Sequence, residues 1–226
     1  MNCLKYSLAV TSLLLAFSSQ AATITQFGTD VSYTYDDSTA YGTGVVLGNA
    51  IFFTPSAFLA ESLDGAGLAT TTATLNIDVS ATTSGFSMAS FSLFEDGDYR
   101  LKGSGASVAA DGFFRATSLS TTCGAPPCKT TALFDEGTLS DTCGSLALWN
   151  MGDSLNLSSV AGWGSDTDVK LTIQNNLTAE TLASGEIAFI QKKFSVTIPQ
   201  VPVPAAVWLF GSGLIGLAGL ARRKTS

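Results

Sequence analysis

Histidine is absent from the 226 residues, and charged side chains make up only 13% of them. Without histidine there is no Ser-His-Asp or Cys-His catalytic pair and no imidazole metal ligand. Basic residues are also few, 11 against 18 acidic, for a formal charge of −7. That balance excludes the basic face of a nucleic-acid binder. Sustained helical periodicity is missing as well, apart from the short stretch 55–63 (PSAFLAESL), which suits a short helix or turn. Apolar residues are plentiful at 46% and glycines number 22, so the question is where the apolar residues lie.

Two runs at the chain ends hold many of them. Lys5 precedes the apolar segment Leu8 to Phe17, and Ser-Ser-Gln-Ala-Ala follows at 18–22. A positive start, a short apolar run and small residues at Ser19 and Ala21 describe a secretory signal peptide over 1–21, cleaved between Ala21 and Ala22. Such a leader implies the Sec translocon and signal peptidase as partners. Cys3 lies ahead of the apolar run, so it is removed with the leader and is not a lipoprotein cysteine.

At the other end, Val201-Pro202-Val203-Pro204 leads into the uncharged run Ala205 to Ala221, which is followed by Arg222-Arg223-Lys224. Seventeen residues of helix would measure roughly 25 Å, near the lower limit for a hydrocarbon core of about 30 Å. The basic cluster would stop transfer and stay cytoplasmic, placing everything before the helix across the inner membrane. Trp208 suits the outer interface, and Gly211, Gly213, Gly216 and Gly219 make a thin helix.

The order Val-Pro-Val-Pro-Ala (201–205), then Trp208-Leu209-Phe210-Gly211-Ser212-Gly213, then Arg222-Arg223-Lys224 resembles the PEP-CTERM class of bacterial sorting signals, in its Val-Pro-Leu-Pro-Ala variant. Val203 stands where that variant has Leu. The resemblance covers roughly the last 25 residues and implies processing by an exosortase, a membrane-embedded cysteine transpeptidase-like enzyme of Gram-negative, exopolysaccharide-producing bacteria. Residues Val201, Pro202, Val203, Pro204 and Ala205 would be acted upon, the prolines keeping the segment extended and free of ladder hydrogen bonds.

Between these ends, residues 22–198 form one exported domain, with 199–226 as the sorting signal. Period-two alternation in Val31/Tyr33/Tyr35, Leu75/Ile77/Val79, Val169/Leu171/Ile173 and Phe194/Val196/Ile198 predicts half-buried antiparallel strands. Further strands are expected over 44–53, 86–94, 112–116, 145–151 and 186–190. The alternation slips between Met88 and Phe91, which predicts a bulge there. Turns are expected at 64–67, 95–98 and 162–165, and Pro199 should end ladder pairing. About nine to eleven short strands read as an all-β antiparallel sandwich, a jelly roll being one such arrangement, plus the single C-terminal transmembrane helix.

Three cysteines survive leader removal. Cys123, Cys128 and Cys143 favour a disulfide in an oxidising compartment, with one thiol left over and the pairing open. No metal ligand set is assigned: zinc would need a fourth ligand without histidine. The acidic groups at 36–37, 95–98, 135–136 and 166–168 leave Ca²⁺ open, although none follows the twelve-residue calcium loop. They also leave open a glycan-acting hydrolase built on a carboxylate pair. Trp163, set between two glycines, is the candidate exposed platform for a glycan, whereas Trp149 lies in an apolar segment and is expected in the core. No catalytic set emerges, so the expectation is a structural or adhesive surface protein linked to exopolysaccharide or biofilm, with a carbohydrate-binding module as the alternative. Leader and anchor hold four of the basic residues, so the exported part carries seven against 18 acidic, a charge of −11.

Overall fold

A computed structural model describes residues 23–124 and 127–200. The expected leader with its Ala21/Ala22 cleavage site, the motif 201–205, the helix 205–221 and the cluster Arg222, Arg223, Lys224 lie outside the described residues. Among the described residues no helix is long and apolar enough to cross a membrane.

Every strand pairing is antiparallel, and the strands fall into two sheets. The first half of the chain supplies β1 (Thr23–Phe27), β2 (Val31–Asp36), β3 (Val45–Leu47), β4 (Ala50–Phe53), β5 (Leu59–Leu63) and β6 (Gly67–Ala81). The second half supplies β7 (Ser90–Lys102), β8 (Ser107–Ser118), β9 (Lys129–Asp135), β10 (Ala147–Asn156), β11 (Asp168–Thr181) and β12 (Ile187–Gln200), with a 3-10 turn at Leu157–Ser159. One sheet has the order β1-β2-β6-β11-β8-β9, and the other β10-β7-β12-β4-β3, with β5 also paired to β12. Inward side chains of both sheets build one apolar cluster: Tyr33, Ile77, Phe114 and Ile173 from the first meet Phe53, Phe91, Trp149 and Ile190 from the second. Burial alternates strictly along β11, from Val169 through Leu171, Ile173, Leu177 and Ala179, as the period of a pleated strand requires.

Several local expectations are corrected. Residues 59–63 of the expected helix form β5, because Leu59 to Gln191 registration places this segment beside β12, where ladder pairing outweighs a weak local preference. The slip between Met88 and Phe91 is an interruption and not a bulge: Met88 makes an isolated bridge to Asp166, and β7 begins afresh at Ser90. The bulge sits in β12, between Lys192 and Phe194 opposite Gly97 and Asp96. Segment 95–98, expected as a turn, runs through the middle of β7. Its Gly97 is there for close approach, since a Cβ would fall 1.9 Å from the Gln191 carbonyl oxygen and 2.7 Å from Trp149 Nε1. Pro199 does not end the ladder: β12 continues to Gln200, with Pro199 opposite Phe91. On its far side β4 pairs only with Ser195 to Thr197, so among the described residues no strand is registered with Pro199 there, and a missing N–H is tolerated at such an edge. The turn at 64–67 is present, with Asp64, Gly65 and Gly67 at positive φ.

Candidate functional site

Three core-facing positions of the central strands are polar. On β7 the buried series Phe91, Leu93, Tyr99 and Leu101 is interrupted by Glu95; on β11 the series around Ile173 and Leu177 is interrupted by Asn175; on β12 Ala188 and Ile190 are followed by Lys192. All three polar residues are 0% exposed. The alternation points them into the space between the sheets, where they meet.

Lys192 Nζ donates to Asn175 Oδ1 at 2.6 Å and is ion-paired with Glu95 Oε1. Asn175 Nδ2 donates to Glu95 Oε2 at 2.8 Å. Tyr41, from the loop after β2, donates its hydroxyl to the same Asn175 Oδ1 at 3.2 Å, and its ring lies 5.0 Å from Lys192 Nζ. Tyr41 is fixed by tilted packing on Phe58 and edge-on packing on Phe53, at centroid separations of 5.7 and 6.2 Å. Lys192 is held from the backbone as well, its N–H donating to the Phe58 carbonyl at 3.0 Å, while Trp149 Nε1 donates to Gln191 O at 3.1 Å. Lys193, next in the bulge, points out to an ion pair with Asp98.

Burial governs the protonation of this cluster. It raises the Glu95 carboxyl above its ordinary range, with Lys192 and Asn175 pulling the other way. It lowers the Lys192 ammonium against the opposing pull of Glu95 and Asp96. Tyr41 is raised by burial and then by the Glu95 charge. Desolvation thus moves both ionisable partners toward their neutral forms, an amine facing a carboxylic acid.

A second buried carboxylate, Asp166, lies at one end of the sheets. Ser118 Oγ and Ser120 Oγ donate to it, as do Trp163 Nε1 at 3.1 Å and the backbone N–H groups of Thr167 at 2.8 Å and Asp168 at 3.2 Å. Burial alone would raise this carboxyl, but the bonds from Ser118, Ser120, Asp168 and Trp163 outweigh it and hold it below its ordinary value. Trp163 is 1% exposed, which corrects the expectation of a surface platform: the indole needs an acceptor when buried, and Asp166 supplies it. Tyr33, Tyr35, Tyr41, Tyr99 and Trp149 are buried as well, so none of them offers a ring to a sugar at the surface.

Cys123 and Cys128 form a disulfide, and Cys143 is free and exposed. The bridge adjoins the Asp166 corner, because Ser118 N donates to Cys128 O at 2.9 Å. The remaining acidic groups serve turns: Asp36 Oδ1 accepts from Ser38 N at 2.8 Å, and Asp135 Oδ1 from Gly137 N at 2.7 Å. Among the described residues no three His, Cys, Asp or Glu side chains converge to hold a metal ion. A cleft of about 360 Å³ opens between 39–43 and 54–57, with Tyr41 in its wall.

The cluster of Glu95, Asn175 and Lys192 escaped the sequence reading, which took 95–98 for a solvated turn and 186–198 for two strands. The signal was nonetheless present as a polar residue at the core parity of each of three apolar alternations.

Residues 200–224 match the PEP-CTERM protein-sorting motif, so the chain carries a signal that implies export and an exosortase partner. No curated protein matches the chain. Similar solved structures include one of the infectious bursal disease virus Gx strain, 17% identical over 70% of this chain and 33% of that one, with a TM-score of 0.40. Another, of the Gt strain, is 14% identical over 76% and 48% with a TM-score of 0.24. The VP2 subviral particle of the same virus is 13% identical over 80% and 47% with a TM-score of 0.25. The chain spans less than half the length of each of these.

Proposed function

We propose that this is a structural or adhesive protein of the cell surface or extracellular matrix. In this reading the Sec translocon exports it, signal peptidase cuts between Ala21 and Ala22, and the 205–221 helix holds it in the inner membrane, with Arg222, Arg223 and Lys224 inside. An exosortase then acts at the Val-Pro-Leu-Pro-Ala-like motif Val201 to Ala205. The observation that carries the reading is the sorting-motif match at 200–224, which begins where β12 ends at Gln200. A signal abutting the last strand leaves the two-sheet body, which we read as a β-sandwich, as the delivered cargo.

The cargo acts without catalysis on an external substrate and without a cofactor. Its charge of −11 keeps it from anionic polysaccharide unless cations such as Ca²⁺ bridge the two. Two of the features behind the carbohydrate-binding and glycan-hydrolase alternatives are placed otherwise, Trp163 being interior and segment 95–98 inside a strand. Mass spectrometry of material released by the producing bacterium tests the sorting reading. A mature chain lacking Trp208 to Ser226 is expected, and one that retains them would overturn it.

A further inference from the structure

We infer that Lys192 and Asn175 join through their side chains in an intramolecular amide, formed by the protein itself with Glu95 as the proton carrier. The geometry contains each part the reaction needs. The nucleophile, Lys192 Nζ, is hydrogen-bonded at 2.6 Å to the carboxamide oxygen of Asn175, the atom bonded to the carbon it must attack. Glu95 spans nucleophile and leaving group, one oxygen on Lys192 Nζ and the other 2.8 Å from Asn175 Nδ2. The Tyr41 hydroxyl, 3.2 Å from Asn175 Oδ1, stands where negative charge develops.

The steps balance with no outside reagent. The neutral Lys192 amine adds to Asn175 Cγ, and the carbonyl electrons move onto Oδ1, which Tyr41 stabilises by its hydrogen bond. Glu95 Oε1 accepts a proton from the attacking nitrogen while its acid proton passes from Oε2 to Nδ2. The carbonyl re-forms, the Cγ–Nδ2 bond breaks, and ammonia leaves. One Cγ–Nζ amide has formed and Glu95 ends protonated, as it began. Burial favours the reactive pair of amine and carboxylic acid, and it excludes the water that would compete for Cγ. Fixed placement of two groups that would otherwise react very slowly supplies the remaining advantage, since effective molarities reach about 10⁵ M or more for well-aligned pairs.

The position of the bond gives it a mechanical meaning. Asn175 is on β11, flanked by β6 and β8; Lys192 is on β12, flanked by β7 on one side and by β4 and β5 on the other. The amide would therefore stitch the middle of one sheet to the middle of the other. β12 is also the strand that runs into the sorting motif, so tension on that end would reach a covalent stop at Lys192. The inference rests on the buried cluster and not on the sorting signal, and its failure would leave the sorting reading intact.

The sequence provides a clean test. No Lys or Arg lies between Lys170 and Lys192, and Glu180 and Glu186 lie between Asn175 and Lys192. The full chain, confirmed as folded by a cooperative thermal transition, is denatured and digested with trypsin and then with a glutamate-specific protease. The expected result is resistance to trypsin at Lys192 and, after the second cut, fragments 171–180 and 187–193 still joined, with a mass short by one ammonia. Separate fragments from folded wild-type protein would overturn the inference, and so would ammonia loss without joining, the mark of a succinimide at Asn175. Glu95→Gln should yield separate fragments, and joining at the wild-type rate in that variant would remove Glu95 from the reaction. If Glu95→Gln does not fold, Tyr41→Phe, which keeps the ring, should slow joining at least tenfold, and an unchanged rate would overturn the assigned chemistry.

Discussion

Glu95 and Asp166 are both carboxyl groups withdrawn from water inside one small β protein, and their protonation is pushed in opposite directions. Asp166 is surrounded by neutral donors, two hydroxyls, an indole and backbone N–H groups, and sits below its ordinary value despite burial. Glu95 faces one amine and one carboxamide between the sheets, and burial raises it. Burial alone therefore does not decide whether a carboxyl stays charged. What decides is the number of donors whose only role is to solvate it, against partners that can themselves become neutral. The Asp166 corner is built to hold a charge and the Glu95 centre to pass a proton.

The sharpest break in that contrast comes from removing each carboxyl in turn. Glu95→Ala should cost the most, roughly 3 to 5 kcal/mol, because it takes from the buried Lys192 its carboxyl partner and with it the proton carrier for the amide to Asn175. Chemical denaturation should show this as a lower midpoint, with a steeper slope because the denatured variant lacks the Lys192 to Asn175 cross-link. Asp166→Ala should cost less, about 2 to 3 kcal/mol. Its hydroxyl donors can turn to other acceptors, and the price falls mainly on Trp163 Nε1 and the backbone N–H groups. Equal losses in the two variants would mean that the two sites are alike after all.

Much of the all-β architecture was readable from alternation, since Val31/Tyr33/Tyr35, Leu75/Ile77/Val79 and Val169/Leu171/Ile173 are all core residues of paired strands. What escaped has a common physical cause, which is that strand pairing is non-local. The sequence of 95–98 reads as a turn because Asp and Gly favour turns locally; only pairing with β10 and β12 on both sides extends it. Trp163 reads as exposed between glycines until Asp166, three residues on, is seen to take its N–H. Glu95, Asn175 and Lys192 are far apart in sequence or on different sheets, and nothing local says that three polar interruptions share one point in space. The sorting signal was legible because it is a linear motif whose recognition needs no fold.

The disulfide tests how far the Asp166 corner depends on its neighbourhood. Joining Cys123 to Cys128 closes a short loop, so Cys123→Ser should lower stability by about 2 kcal/mol, against no measurable change for the exposed Cys143→Ser. Because Ser118 N is bonded to Cys128 O and Ser118 Oγ to Asp166, the loss should extend to the corner. Hydrogen exchange at the Thr167 and Asp168 amides would report it, while the Lys192 amide, bonded to Phe58 O, should stay as protected as the lowered global stability allows.

The smallest effect is a pH dependence confined to Asp166. Its folded-state pKa lies below the ordinary 3.8, so the unfolded chain takes up the proton first as pH falls. The stability it contributes is therefore complete above about pH 5 and is lost as pH falls through the folded value. Asp166→Asn keeps an acceptor for Trp163 but has no charge to solvate, and should cost about 1 kcal/mol at neutral pH. The margin of the wild type over this variant should narrow steadily in acid. Glu186, lowered by N–H bonds from Leu182, Gly105 and Ala183, titrates with the same sign, but it is present in both proteins and cancels in the difference. A margin that stayed flat between about pH 5 and pH 2 would show that Asp166 is not held ionised by its donors, and the contrast with Glu95 would lose its electrostatic basis.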